Sequence, residues 1–105
     1  MPDYFMFIHS RPIILLAARN NVPTIYPWRS TVVRDSGLLS YGPDLGDIVR
    51  RGAVYVDRVL RGEKPADLPV QVPVKFEMAV NARTAKVLGL TVPPSILVRA
   101  DEVIE

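Results

Sequence analysis

Side chains able to do covalent chemistry are few and scattered along this sequence. His9 is the single histidine and lies beside an apolar run, where a lone imidazole is more often structural or exposed than catalytic. The carboxylates Asp35, Asp44, Asp47, Asp57, Glu63, Asp67, Glu77, Asp101, Glu102 and Glu105 are spread out, and most have basic neighbours. Nothing clusters at metal-ligand spacing, so no metal or cofactor is expected. There is no cysteine, which excludes disulfides, thiolate metal sites and cysteine nucleophiles. No nucleophile-elbow, Ser-x-x-Lys, phosphate-loop or dinucleotide fingerprint occurs, and "GPDLG" lacks phosphate-loop spacing. The roles an active site needs are not filled, and the chain is not expected to be an enzyme.

The residues that could bind are aromatic and fall where strands end. Tyr26-Pro27-Trp28-Arg29 follows one expected strand, and Ser40-Tyr41-Gly42 follows another. Ligands of open parallel sheets sit beyond the carboxyl ends of the strands. Two such segments on adjacent strands would gather Tyr26, Trp28, Ser40, Tyr41 and Gly42 around one crevice. A helix starting at Gly42 to Asp44 would add free N–H groups suited to a carboxylate. The alternative is that these aromatics only close the end of a small core, since aromatics with a polar tip sit at wet boundaries.

The elements that must position these residues follow from periodicity and punctuation. "YFMFI", residues 4–8, is a short apolar run that suits a buried strand. Ser10 is an N-cap candidate for a helix whose "IILLAAR", 13–19, is apolar nearly all round and should be well buried. "VPTIYP" reads as a short strand, 28–37 as a loop with one helical turn, and "LLSY" as another strand. Gly42 and Pro43 fit N-cap and N1 of a helix over 43–61, whose apolar residues recur at Leu45, Ile48, Val49, Gly52, Ala53, Val56, Val59 and Leu60. Asp47–Arg51 and Asp57–Arg61 have i,i+4 spacing on its solvated face. Gly62 is a natural residue to follow the helix end. Gly46 and Gly52 cost helix propensity, and close backbone packing is their expected reason. Residues 63–73 form a proline-rich extended connector. Val74, Phe76, Met78 and Val80 alternate along a strand, and Asn81 caps a helix that ends at Gly89. A Pro-Pro break and a short helix or strand close the chain. The order is β-α-β-β-α-β-α, an α/β architecture with a mostly parallel sheet.

The 105 residues are enough for one small core. Apolar residues at 49% and charged residues at 23% are ordinary for a globular protein. A net charge of +2 without a nucleic-acid motif argues against nucleic acid as a partner. No run approaches the roughly 20 apolar residues of a membrane helix, and the start has no basic secretory pattern. As written the chain would remain cytoplasmic. Its few strands leave an all-apolar helix uncovered, so this reads as a partial domain or an obligate oligomer.

The stretches "AARNNVPTIYPWR", "GLLSYGPDLGD", "LRGEKPADLPV", "KFE" with Asn81, "TAKVLGL" and "RADEVIE" together resemble the C-terminal part of ABC-transporter substrate-binding proteins of the tryptophan/tyrosine-uptake type. The resemblance spans about residues 10–105. It implies part of the type I periplasmic-binding-protein fold, in which two Rossmann-like lobes joined by crossing strands hold a small ligand in their cleft. It also implies lobe crossovers near 38–43 and 68–76, the helix 43–61 in one lobe, and the 74–89 unit in the other. Ligands would be aromatic amino acids or other small organic molecules, the partner an ABC permease and the location periplasmic. The first lobe and most of the second have no counterpart here. A homodimer, with exchange of elements as one route, is therefore expected. A self-associating α/β module without ligand binding is the alternative.

Overall fold

A computed structural model describes residues 3–105. Along the chain run α1 (Tyr4–Ile8), α2 (Ser10–Arg19), β1 (Ile25–Tyr26), α3 (Arg29–Val33), β2 (Leu39–Pro43), α4 (Leu45–Leu60), a 3-10 turn (Pro65–Asp67), β3 (Phe76–Asn81), α5 (Ala82–Val87), α6 (Pro94–Arg99) and β4 (Glu102–Ile104). The strands form one open sheet in the order β1-β2-β3-β4. β1 and β2 pair in parallel, with Ile25 opposite Leu39 and Tyr26 opposite Ser40. β3 and β4 also pair in parallel, Val80 opposite Val103. Between them the backbone bonds run the other way: Asn81 N–H donates to the Leu38 carbonyl and Asp44 N–H to the Lys75 carbonyl. The α/β class and the mostly parallel sheet agree with the sequence pattern.

The start of the chain does not. "YFMFI" is a helix, not a strand, and no residue of it is buried. A five-residue apolar run has no decisive period, so local capping decides. Asp3 accepts the Met6 N–H at 2.7 Å and starts the helix. The first strand of the expected order is therefore absent and β4 is gained at the other end. α2 does begin at Ser10, but only Ser10 and Ile14 are buried, while Leu15 and Leu16 are 64% and 57% exposed. The expectation that this helix is buried all round fails.

The chain divides into two compact units. The first comprises the residues up to Gly42 together with Glu77–Glu105. Its core is Ile14, Tyr26, Val32, Ala79, Val80 and Ala85. Adjacent residues Ala79 and Val80 are both fully buried, so both faces of β3 are covered at this end. Asn81 caps α5 as expected, its Oδ1 accepting the Thr84 N–H at 3.0 Å. Gly89 ends the turn with φ 70°, which glycine adopts without a Cβ penalty.

The second unit is Pro43–Phe76. β2 continues through Gly42 and Pro43, so the cap of α4 is Asp44 rather than Gly42. Asp44 Oδ1 accepts the Asp47 N–H at 3.1 Å, and Lys75 Nζ lies 3.1 Å from its other oxygen. Gly62 follows the helix with φ 102°, as expected. Arg61 pairs with Asp57 at 3.0 Å. Asp47, however, faces Arg50 at 3.9 Å, and Arg51 instead donates to Gln71 Oε1 at 2.7 Å. Arg51 and the Tyr55 hydroxyl, which donates to the Pro69 carbonyl, tie the extended connector alongside α4. No residue of α4 is buried despite its clean period. A Cβ on Gly52 would meet nothing within 4 Å, so close packing does not explain that glycine.

Candidate functional site

The first unit holds a cavity of about 360 Å³ where α1 and α2 face the end of β1. Tyr26, Trp28 and Tyr41 all line it, joined by Pro27 and by Phe7, Met6 and Ile13 from the two helices. The polar lining is Asp3, Ser10, Thr24 and Thr31. Three of the five residues singled out from the sequence are thus brought together. Ser40 and Gly42 do not line the cavity, because alternate residues of β2 point to opposite faces. Ser40 is 1% exposed and its Oγ has no hydrogen-bond partner. Gly42 packs against β1 so tightly that a Cβ there would lie 2.0 Å from the Pro27 carbonyl oxygen. That contact fixes the backbone between Tyr26 and Trp28.

Local chemistry holds the aromatic segment in place. Tyr26 is buried at the end of β1, and its ring lies over Gly37, where a Cβ would come within 2.9 Å of ring carbons. Burial raises the Tyr26 hydroxyl above its ordinary pKa, and a hydrogen bond with Thr24 works against that. Trp28 precedes α3 in extended conformation, and its carbonyl accepts the Thr31 N–H at 3.1 Å and the Thr31 hydroxyl at 2.5 Å.

One important group was not singled out from the sequence. The Asp35 side chain is fully buried, and it accepts from Ser10 Oγ at 3.0 Å, Arg11 Nε at 3.1 Å and Arg34 Nε and Nη2 at 3.0 and 2.8 Å. The Arg34 bonds hold its carboxyl far below the usual carboxylate range; burial opposes them, and Arg11 and Ser10 reinforce them. The Arg34 guanidinium also lies 5.9 Å from the centre of the Phe7 ring. Asp35 therefore anchors two cavity-lining residues, Ser10 directly and Phe7 through Arg34. Ser10 and Asp35 are 25 positions apart, so no local pattern marks the pair.

The expected carboxylate cradle at the start of α4 is already filled. Asp44 itself occupies it, and its pKa is lowered first by the Asp47 N–H and then by Lys75. Among the described residues no group of three or more His, Cys, Asp or Glu could hold a metal ion, and no helix is long and apolar enough to cross a membrane.

The profile of a protein family described as ABC transporter substrate binding protein matches residues 6–104. The chain belongs to this family. Among solved structures, a conserved domain protein from Vibrio cholerae O1 biovar eltor superposes with a TM-score of 0.90 at 30% identity, over 96% of this chain and 34% of that one. The ABC domain from Streptococcus pneumoniae in complex with L-tryptophan gives 0.85 at 28% identity, over 97% and 35%. An open, ligand-free substrate-binding protein with adhesive properties from Clostridium difficile gives 0.60 at 19% identity, a likeness of fold alone. The chain spans about a third of the length of these structures. No curated protein matches it significantly.

Proposed function

We propose that the protein is the solute-binding element of an ABC importer, acting in the periplasm and taking a small aromatic molecule into the cavity lined by Tyr26, Trp28 and Tyr41. The observation that carries this is the convergence of three aromatic side chains at a strand end, in a chain of the substrate-binding family. The cavity volume suits one small molecule, and its mostly apolar lining with a few polar groups is the usual make-up of such sites. The Streptococcus relative binds L-tryptophan, which makes aromatic amino acids the first ligands to test. A ligand at about 100 times its Kd stabilises the folded state by about 2.7 kcal/mol. Thermal unfolding with L-tryptophan should show a rise in Tm that saturates, while leucine or glutamate produce none. Equal responses to all three would remove the aromatic preference.

The apolar stripe of α4 favours a second and compatible property, self-association. Val49 and Leu60 are 71% and 81% exposed, although they belong to a periodic apolar face. Light scattering should then return twice the chain mass, and a monomer mass at all concentrations would dismiss it.

A further inference from the structure

We infer that the cavity selects a protonated amine on an aromatic body and makes no provision for a carboxylate. This rests on the aromatic-solute function proposed above and narrows its ligand class. A hydroxyl has one proton and two lone pairs. Ser10 gives its proton to the ionised Asp35 carboxylate at 3.0 Å. Thr31 gives its own to the Trp28 carbonyl at 2.5 Å. The Thr24 hydroxyl is taken up by the Val22 carbonyl and the Tyr26 hydroxyl. Neither the Asp35 carboxylate nor the Trp28 carbonyl can donate in return. The Ser10 and Thr31 hydroxyls are therefore left as acceptors toward a ligand.

Charge points the same way. Among the described residues Asp3 is the only charged side chain lining the cavity. Three arginines of the surrounding elements are held by carboxylates of the protein: Arg11 and Arg34 by Asp35, and Arg29 by Glu102. Among the described lining residues a ligand carboxylate would meet no cation and lose its hydration with little compensation. A ligand ammonium would meet hydroxyl lone pairs, one carboxylate and several aromatic rings, which attract cations through their faces. The Trp28 indole, the remaining N–H side chain of the described lining, is neutral.

Calorimetric titration of the protein near neutral pH with tryptamine, L-tryptophan and indole-3-propionate separates the possibilities. Tryptamine should bind at least as tightly as L-tryptophan, and indole-3-propionate about tenfold more weakly or worse. Asp3→Asn keeps a capping residue on α1 and should weaken tryptamine severalfold without weakening indole-3-propionate. Indole-3-propionate binding as tightly as tryptamine overturns the inference. So does L-tryptophan binding without tryptamine, which leaves the aromatic-solute function standing. Absence of binding by all three overturns both.

Discussion

Gly42→Ala is expected to destabilise the protein by about 3 kcal/mol or more, at the upper end of overpacking effects. The added Cβ would lie 2.0 Å from the Pro27 carbonyl oxygen and 3.0 Å from its carbonyl carbon. Both atoms are backbone, so no side-chain rotation can relieve the clash, and β1 and β2 must move apart. Tyr26 and Trp28 flank Pro27, so the movement also displaces two walls of the cavity. Urea unfolding should show a large fall in midpoint at unchanged slope. Gly52→Ala is the matching control. Its Cβ enters open space inside α4, and the helix should gain about 1 kcal/mol. A Gly42→Ala protein as stable as the parent would mean that β1 and β2 are not packed as described.

Asp35→Ala should cost about 2–3 kcal/mol. It removes a fully buried carboxylate that accepts four hydrogen bonds and ties α2 to the end of α3. The Arg11 and Arg34 side chains are 72% and 55% exposed and can rehydrate, which keeps the loss below that of a wholly buried pair. The sign of the pH dependence follows from the depressed pKa of the folded carboxyl. The stabilisation is fully present above the unfolded value of about 3.9, and it is lost progressively as pH falls below that toward the folded value. The parent protein should weaken steeply under acid conditions, and Asp35→Asn should flatten that limb. Asp44 is also depressed and gives both proteins a shared acid component, so the difference between their urea midpoints near pH 7 and pH 3 isolates Asp35. An equally steep acid limb in Asp35→Asn would contradict the assignment.

What could be seen in the sequence was what local chemistry decides. The period of α4, the Asn81 cap and the glycines after α4 and α5 depend on residues within one or two turns of each other. The convergence of Tyr26, Trp28 and Tyr41 was legible too, because strand-end aromatics on neighbouring parallel strands must meet. Other features depend on distant partners. Ser40 and Gly42 adjoin Tyr41 in sequence but lie on the opposite pleat, where packing against β1 uses them. Pro43 extends β2 instead of opening α4, because that segment pairs with β3 before it turns. "YFMFI" was ambiguous at five residues and took the helical form that Asp3 caps. Asp35 resembled any carboxylate beside an arginine until folding brought Ser10 and Arg11 to it.

Trp28 is the single tryptophan and lines the cavity, so its emission reports directly on what enters. The decisive measurement is a fluorescence titration with L-tyrosine and tyramine, excited at a wavelength selective for indole. A saturable change in Trp28 emission with at least one of them, weakened about tenfold or more by Tyr41→Ala, is the predicted result. Emission that does not respond to either compound, or a response of the same affinity in Tyr41→Ala, would contradict the assignment of this cavity as the solute site.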